Sequence, residues 1–272
     1  TAGRLHLGRS RNDQVLTALR LYLRDACDQV ALHAQGLCNS LQKLARRQGG
    51  VAIPGTTHMQ HAMPSSVGLW SEGFHEAFAD AVDGLAAAKR RIDKNPLGSA
   101  AGYGTPGLAL DRELTTQKLQ FAETQNPVTA VQLSRGKAES GLLFEIALLM
   151  LDLSRLASDL LLFYTQEFSY VRLADEVTTG SSIMPQKRNP ISSELILAAA
   201  KAVRQHAGLM LDAMVQDHER ATGPWHAEWI ALPESFLLTG GALHQAKFML
   251  DGLVVDEARM RKNLDMTHGL IV

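Results

Sequence analysis

Apolar residues recur along this chain at helical spacings, and no stretch shows the strict alternation of a half-buried strand. Asn12 and Asp13 read as cap residues opening a helix that runs to about Arg47, with Val15, Leu19, Leu21, Leu23, Val30, Leu37 and Leu41 spaced for buried faces. Gly49-Gly50 ends it, and residues 51–64 read as a polar connection. A second helix is expected from about Pro64 to Arg91, closing on the basic cluster Lys89-Arg90-Arg91 that suits a C-terminal turn. Residues 95–106 are rich in Gly, Ala and Pro and read as loop.

A third helix is expected from about Thr129 to Phe163. It carries Leu142, Leu143, Ile146, Leu148, Leu149, Leu151 and Leu153, and is apolar nearly all round apart from Glu139, Glu145, Asp152 and Arg155. Such a helix has to be covered on several sides. A fourth begins near Pro190 and is expected to reach about Asp217, a fifth follows Pro233, and a short one lies around Asp256 to Leu264. Helices of roughly 30 residues, far above the usual ~11–12, predict an all-α fold built as an elongated bundle of long helices. Their surplus apolar surface predicts association of subunits.

Composition narrows the partners. The chain has 272 residues, 27 basic and 28 acidic, for a formal net charge of -1. That balance gives no reason to expect nucleic acid or an anionic membrane as partner. No run approaches the ~20 apolar residues of a membrane span. Cys27 and Cys38 fall in one expected helix, where eleven residues at about 1.5 Å each separate them by roughly 16 Å, too far for a disulfide. A reducing, cytoplasmic setting is the simple expectation. The start at Thr1 and the abrupt end at Val272 suggest a piece of a longer protein, with residues 1–272 forming a helical-bundle domain of it.

Three segments carry chemistry. Gly180-Ser181-Ser182-Ile183-Met184-Pro185-Gln186-Lys187-Arg188-Asn189-Pro190 sets two hydroxyls, an amine and an amide between a flexible glycine and a helix-starting proline. A loop of this kind can close over an anionic substrate, with Ser181 near a carbon acid and Lys187 near its carboxylate. Gly8-Arg9-Ser10-Arg11-Asn12-Asp13-Gln14 places two arginines, a hydroxyl and an amide at a helix N-terminus, a natural carboxylate site. Gly55-Thr56-Thr57-His58-Met59-Gln60 offers a histidine for acid–base work near neutral pH, flanked by hydroxyl and amide groups. Gly98-Ser99-Ala100-Ala101-Gly102-Tyr103-Gly104 lacks the preceding strand and Lys-Ser/Thr ending of a phosphate loop and reads as a tight turn. His206, His218, His226 and His244 are spread too irregularly to argue for a metal site.

The residue 180–190 string resembles the signature of the fumarase/aspartase superfamily, lyases that eliminate across a succinyl group. Leu5 to Val15 is similar to the corresponding stretch of argininosuccinate lyases, as are Asn95-Pro96-Leu97-Gly98-Ser99 and Leu173 to Gly180. Past Asn189 the likeness shifts. Gln216 to Arg220, Trp225 to Trp229 and Asn263 to Ile271 resemble adenylosuccinate lyase and carboxymuconate cycloisomerase relatives. The resemblance implies Ser181 as carbon-acid base, with Ser182 beside it, and Lys187 and Asn189 as stabilisers of the aci-carboxylate. It implies His58 as active-site histidine with Glu194 as its partner, and Thr57, Gln60, Ser10, Arg11 and Asn12 as substrate contacts. It gives His61 no role. It further implies elimination of fumarate from a small-molecule substrate without a cofactor or metal, in a homotetramer whose active sites draw these segments from different subunits. Argininosuccinate is the first expected substrate, another N-succinyl adduct such as adenylosuccinate the second, and a non-catalytic structural relative the third reading.

Overall fold

The computed structural model describes residues 2–215, 218 and 223–270. Eight α-helices are found among them: α1 (Arg11–Gln48), α2 (Val67–Ile92), α3 (Arg112–Lys118), α4 (Val128–Ser134), α5 (Lys137–Tyr164), α6 (Ile191–Ala213), α7 (Glu228–Asp251) and α8 (Glu257–Asp265). The strands are short and paired in twos: β1 (Ala52–Thr57), β2 (Gln60–Ser66), β3 (Lys94–Asn95), β4 (Glu123–Thr124), β5 (Val171–Arg172), β6 (Thr179–Gly180), β7 (Arg188–Asn189) and β8 (Val254–Val255). The architecture is an all-α helical bundle. Cys27 and Cys38 are both buried free thiols. No helix among the described residues is long and apolar enough to cross a membrane.

The chain divides into two compact units. The first comprises Thr1–Ala31, Asp83–Ala147 and Val203–Phe236; the second comprises Leu32–Val82, Leu148–Ala202 and Leu237–Val272.

Helix α1 shows how the sequence builds both. Ten of its buried positions, Asp13, Leu16, Arg20, Leu23, Cys27, Val30, Ala34, Leu37, Leu41 and Leu44, are spaced alternately by three and four, with Thr17, Cys38 and Ser40 buried beside them. This is the a/d stripe of a helix that packs along its whole length. The expected stripe through Val15, Leu19 and Leu21 lies to one side of it, half-buried. The periodicity is right; its phase is set by two charged residues, Asp13 and Arg20, which occupy stripe positions.

In the first unit Arg20 is fully buried. Its guanidinium donates to the Lys94 carbonyl at 2.8 Å, the Gln125 side-chain oxygen at 2.5 Å and the Ser134 hydroxyl at 3.0 Å. A second buried arginine, Arg135, pairs with Glu228 at 2.9 Å and lies 3.9 Å over the Trp225 ring. Glu139, also fully buried, accepts the Gly136 backbone N–H at 2.7 Å. Buried charges persist only when paired or hydrogen-bonded: Arg135 and Glu228 hold each other, while Arg20 and Glu139 are held by the separate partners named above.

The same region breaks the expected third helix. Residues 128–134 form α4, then Arg135 turns extended and Gly136 adopts φ +81 before α5 begins. A Cβ at Gly136 would lie 2.7 Å from Met214, so that position admits only glycine without a shift. Two other expectations also need correction. Helix α6 ends at Ala213, short of Asp217, which lies outside the described residues. Helix α7 begins at Glu228 and contains Pro233 instead of starting after it. Pro233 is the sixth residue of α7, so the helix forgoes the bond from that position to the Trp229 carbonyl, which the proline ring also crowds.

The second unit buries Leu37, Leu41, Phe78, Leu149, Leu153, Leu156, Leu160, Leu243 and Met249. The connection expected as polar loop at residues 51–64 is instead an antiparallel hairpin, β1–β2, with a register shift between Pro54 and Thr56. Gly55 makes the bulge possible, because a Cβ there would sit 2.6 Å from the Met63 carbonyl oxygen. Exposed apolar side chains remain on several helices, among them Phe144, Leu148 and Leu151 on α5 and Trp229, Ile230 and Leu237 on α7.

Burial pushes the Glu228 carboxyl from 4.5 up to about 7, with Arg135 pulling the other way. The folded protein therefore holds that proton more tightly than the unfolded chain. Its stabilising contribution is complete below about pH 4.5 and is lost as pH rises to about 7. Urea titrations across that range should show stability falling by up to about 1.4 kcal/mol per pH unit for one proton. Glu228→Gln, which keeps an acceptor for Arg135, should flatten that decline. An unchanged slope would place the titration elsewhere.

Candidate functional site

The first segment opens α1 in the first unit. A 3-10 turn, Ala2–His6, leads to Gly8 at φ +72, where a Cβ would come within 2.9 Å of Leu108. Arg9 turns back onto His6, with its Nε 3.1 Å from Nδ1. Ser10 is the cap: its hydroxyl accepts the Asn12 N–H at 3.2 Å, while its own N–H donates to Asp13 Oδ1 at 2.9 Å. This is a reciprocal capping box, shifted two residues toward the N-terminus from the expected Asn12-Asp13 cap.

Asp13 does more than close the box. Its other oxygen accepts the backbone N–H groups of Gly98 at 3.0 Å and Ala100 at 2.9 Å. The segment 98–104 is thereby tied to the helix start. It folds as the expected tight turn, with Gly102 and Gly104 N–H both bonded to the Ser99 carbonyl. Asn95, fully buried, holds its base by donating to Thr115 and Thr116 hydroxyls at 2.9 Å each. A mainly apolar cavity of about 450 Å³ opens here against Leu7, Arg9, Gln14, Leu97 and Leu114. Ser10, Arg11 and Asn12 do not line it. Arg11 is exposed and Asn12 half-buried at the helix mouth.

The second and third segments belong to the second unit. His58 and Met59 form the two-residue turn of the β1–β2 hairpin, at φ 52 and φ 61, with Thr57 paired to Gln60 across it. Two consecutive left-handed residues define a turn normally held by Asn-Gly. A histidine and a methionine there carry strain of about 1–3 kcal/mol each, a feature that clusters where a side chain must be presented at a set position. Thr57, His58, Gln60 and His61 are all exposed.

The signature loop is closed by β6–β7: Thr179 pairs with Asn189 and Gly180 with Arg188. Gly180 is thus a paired strand residue, where the sequence suggested a mobile one. Inside the loop the Ser181 hydroxyl accepts the N–H of Ile183 at 3.4 Å and of Met184 at 3.2 Å, and the Lys187 N–H closes a turn onto the Met184 carbonyl at 3.0 Å. Ser181 is half-buried, Ser182 and Lys187 are exposed, and Ile183 stands 86% exposed. Arg188 reaches Asp175 at 3.6 Å. Beyond Asn189 and Pro190, α6 is anchored to α7 through Ser192 and Gln245 at 3.0 Å, and Glu194 is exposed on its first turn.

Among the described residues no hydrogen bond or ion pair joins His58 to Glu194, Ser181 or Lys187; the histidine–carboxylate pair that forms is His206 with Glu234 at 3.3 Å. Within one chain, then, hairpin tip and signature loop each present unpaired functional groups to the outside. No group of three or more His, Cys, Asp or Glu residues with metal-binding geometry occurs among the described residues. The stretch Gln216 to Arg220, His218 apart, lies outside them. The sequence reading missed the buried Arg20–Arg135–Glu139–Glu228 group and the bridging role of Asp13. The signal for Arg20 and Asp13 was present: both interrupt an otherwise apolar heptad stripe.

A family of lyases has a model that matches residues 1–204. The argininosuccinate lyase of Sorangium cellulosum is 47% identical over 201 residues, 74% of this chain and 46% of that protein. The chain thus spans about half the length of the curated relatives it matches. Among solved structures, an EDDS lyase variant with bound fumarate superposes with a TM-score of 0.89 at 27% identity, covering 96% of this chain and 52% of the other. The 3-carboxy-cis,cis-muconate lactonizing enzyme from Pseudomonas putida gives 0.87 at 30% identity, covering 97% and 58%. The likeness of fold therefore continues past residue 204, where the family match ends.

Asp13→Ala leaves three backbone N–H groups without their acceptor. It should cost about 2–4 kcal/mol and accelerate hydrogen exchange at the Ser10, Gly98 and Ala100 amides above that of the rest of the first unit. Uniform acceleration across the chain would deny the local tie.

Proposed function

Because the chain belongs to the lyase family matched over residues 1–204, we propose that it eliminates fumarate from L-argininosuccinate to yield L-arginine. The observation that carries this reading is the strand-closed loop holding Ser181, Lys187 and Asn189 together, in a chain 47% identical to an argininosuccinate lyase over 201 residues. The neighbour with bound fumarate supports the same product class.

In this reading Ser181 removes a proton from the carbon next to a substrate carboxylate. The electron pair left behind delocalises into that carboxylate, and Lys187 and Asn189 stabilise the doubly charged aci-carboxylate. Collapse of this intermediate forms the carbon–carbon double bond and breaks the carbon–nitrogen bond. The leaving nitrogen takes up a proton from the acid side of the site, where His58 acts with Glu194. A serine hydroxyl is a poor base at its ordinary pKa and needs cationic surroundings and exclusion of water, which closure of the loop supplies. Ser10, Arg11 and Asn12, with Thr57, Gln60 and Ser182, hold the carboxylates and the leaving group.

The same reading makes the working protein a cytoplasmic homotetramer with shared sites. Two observations support it. Among the described residues His58 and Ser181 meet no catalytic partner, and apolar side chains such as Phe144, Leu151, Trp229 and Leu237 stand exposed on α5 and α7.

The test is fumarate release by the intact protein given argininosuccinate and, in parallel, adenylosuccinate. Release from the first alone is expected; release from neither defeats the proposal. Ser181→Ala should lower turnover by about 10²–10⁴-fold. Lys187→Ala should lower kcat by about 10²–10³-fold with a smaller effect on KM, because its partner charge exists only after proton removal. Full turnover in Ser181→Ala would remove that serine as base.

A further inference from the structure

The signature loop is joined to the body of the second unit at few points. β6 and β7 close it through two residue pairs, and the Ser181 hydroxyl and Lys187 N–H bond only within the loop. Among the described residues, one side-chain hydrogen bond or ion pair ties residues 181–189 to anything outside them. It is the pair of Arg188 with Asp175, at 3.6 Å.

Asp175 gives that tie a firm end. It opens the short turn Asp175–Val177, and the Val177 side chain is buried in the core. The Asp175 carbonyl accepts both the N–H and the hydroxyl of Thr178, each at 3.1 Å. The carboxylate is thus presented from backbone anchored independently of the loop. Tyr164, the last residue of α5, lies within electrostatic reach of both charges: burial pushes its hydroxyl up, Arg188 pulls it down and Asp175 pushes it up.

The strand decides what the tie controls. Arg188 and Asn189 are the two residues of β7, and consecutive strand residues send their side chains to opposite faces. With Arg188 drawn toward Asp175, Asn189 is turned the other way; it is half-buried while Arg188 is exposed. A ladder of two residues does little to stop a strand rolling about its axis. Such a roll would displace Asn189 and swing the adjoining Lys187 with it. An exposed ion pair adds little to global stability, so the effect of this one is local orientation.

We propose that Asp175 is a positioning residue for the elimination: by holding Arg188 it keeps Asn189, and Lys187 next to it, on the substrate side of the loop. Residues 181–186 stay free to close. The inference rests on the roles given above to Lys187 and Asn189.

Asp175→Asn, Arg188→Gln and the charge swap combining Asp175→Arg with Arg188→Asp test it in the intact protein. Each single variant should lower kcat for fumarate release about tenfold, with KM and the urea midpoint little changed, since a misplacement of about 1 Å can cost up to about 10²-fold. The swap should recover turnover to within about threefold of the unaltered protein. Arg188→Lys, which keeps the charge, should keep most of it. Hydrogen exchange over residues 179–189 should quicken in the single variants and slow again in the swap, with the rest of the second unit unaffected. Full turnover in Asp175→Asn overturns the positioning role, as does a loss that the swap leaves unrepaired or that tracks a fallen urea midpoint. No fumarate from the unaltered protein with either succinyl substrate defeats the reaction itself, and the positioning role falls with it.

Discussion

Asp13 occupies a position of α1 where the helical repeat calls for an apolar side chain, and the front of the first unit is arranged around that exception. One carboxylate oxygen closes the cap with Ser10; the other gathers the Gly98 and Ala100 amides. Two turns of sequence separated by 85 residues are thereby held against one helix end. The alternative would be a buried, unpaired charge, whose cost exceeds that of any single backbone rearrangement nearby. Ser10, Arg11 and Asn12 owe their places to this tie, since the helix start from which they project is fixed by it.

Arg20 repeats the device one heptad further on. Its guanidinium bonds the start of β3 and the end of α4, while the Arg135–Glu228 pair joins the residues just before α5 to the first residue of α7 within the same unit. The unit is therefore specified by polar partners at its centre as well as by apolar volume. Glycine at position 136 follows from the same crowding, because Met214 and Trp225 fill the space a side chain would need.

How much of this was legible depended on range along the chain. The long helices could be read because their apolar positions repeat every three or four residues, a local signal. The hairpin could not: Pro54, Gly55 and Pro64 are poor strand residues, and His58-Met59 lacks the Asn-Gly signature of its turn. The break at Gly136 and the Arg135–Glu228 pair rest on contacts 74 to 93 residues apart, which periodicity cannot reach. The candidate site residues were legible through motif likeness, and the fold explains one thing the motifs do not. It presents His58 from a strained turn and the loop around Ser181 from a pair of short strands, each element facing outward from its own chain.

That outward presentation is the core of the functional account: chemistry assigned to one chain is completed by others. Mixing two inactive variants of the intact protein, His58→Asn and Ser181→Ala, and letting their subunits exchange tests it directly. Fumarate release from argininosuccinate should return in the mixture, because some sites then draw an unaltered hairpin from one chain and an unaltered loop from another. A mixture of exchanged subunits that stays as inactive as either variant alone would contradict it.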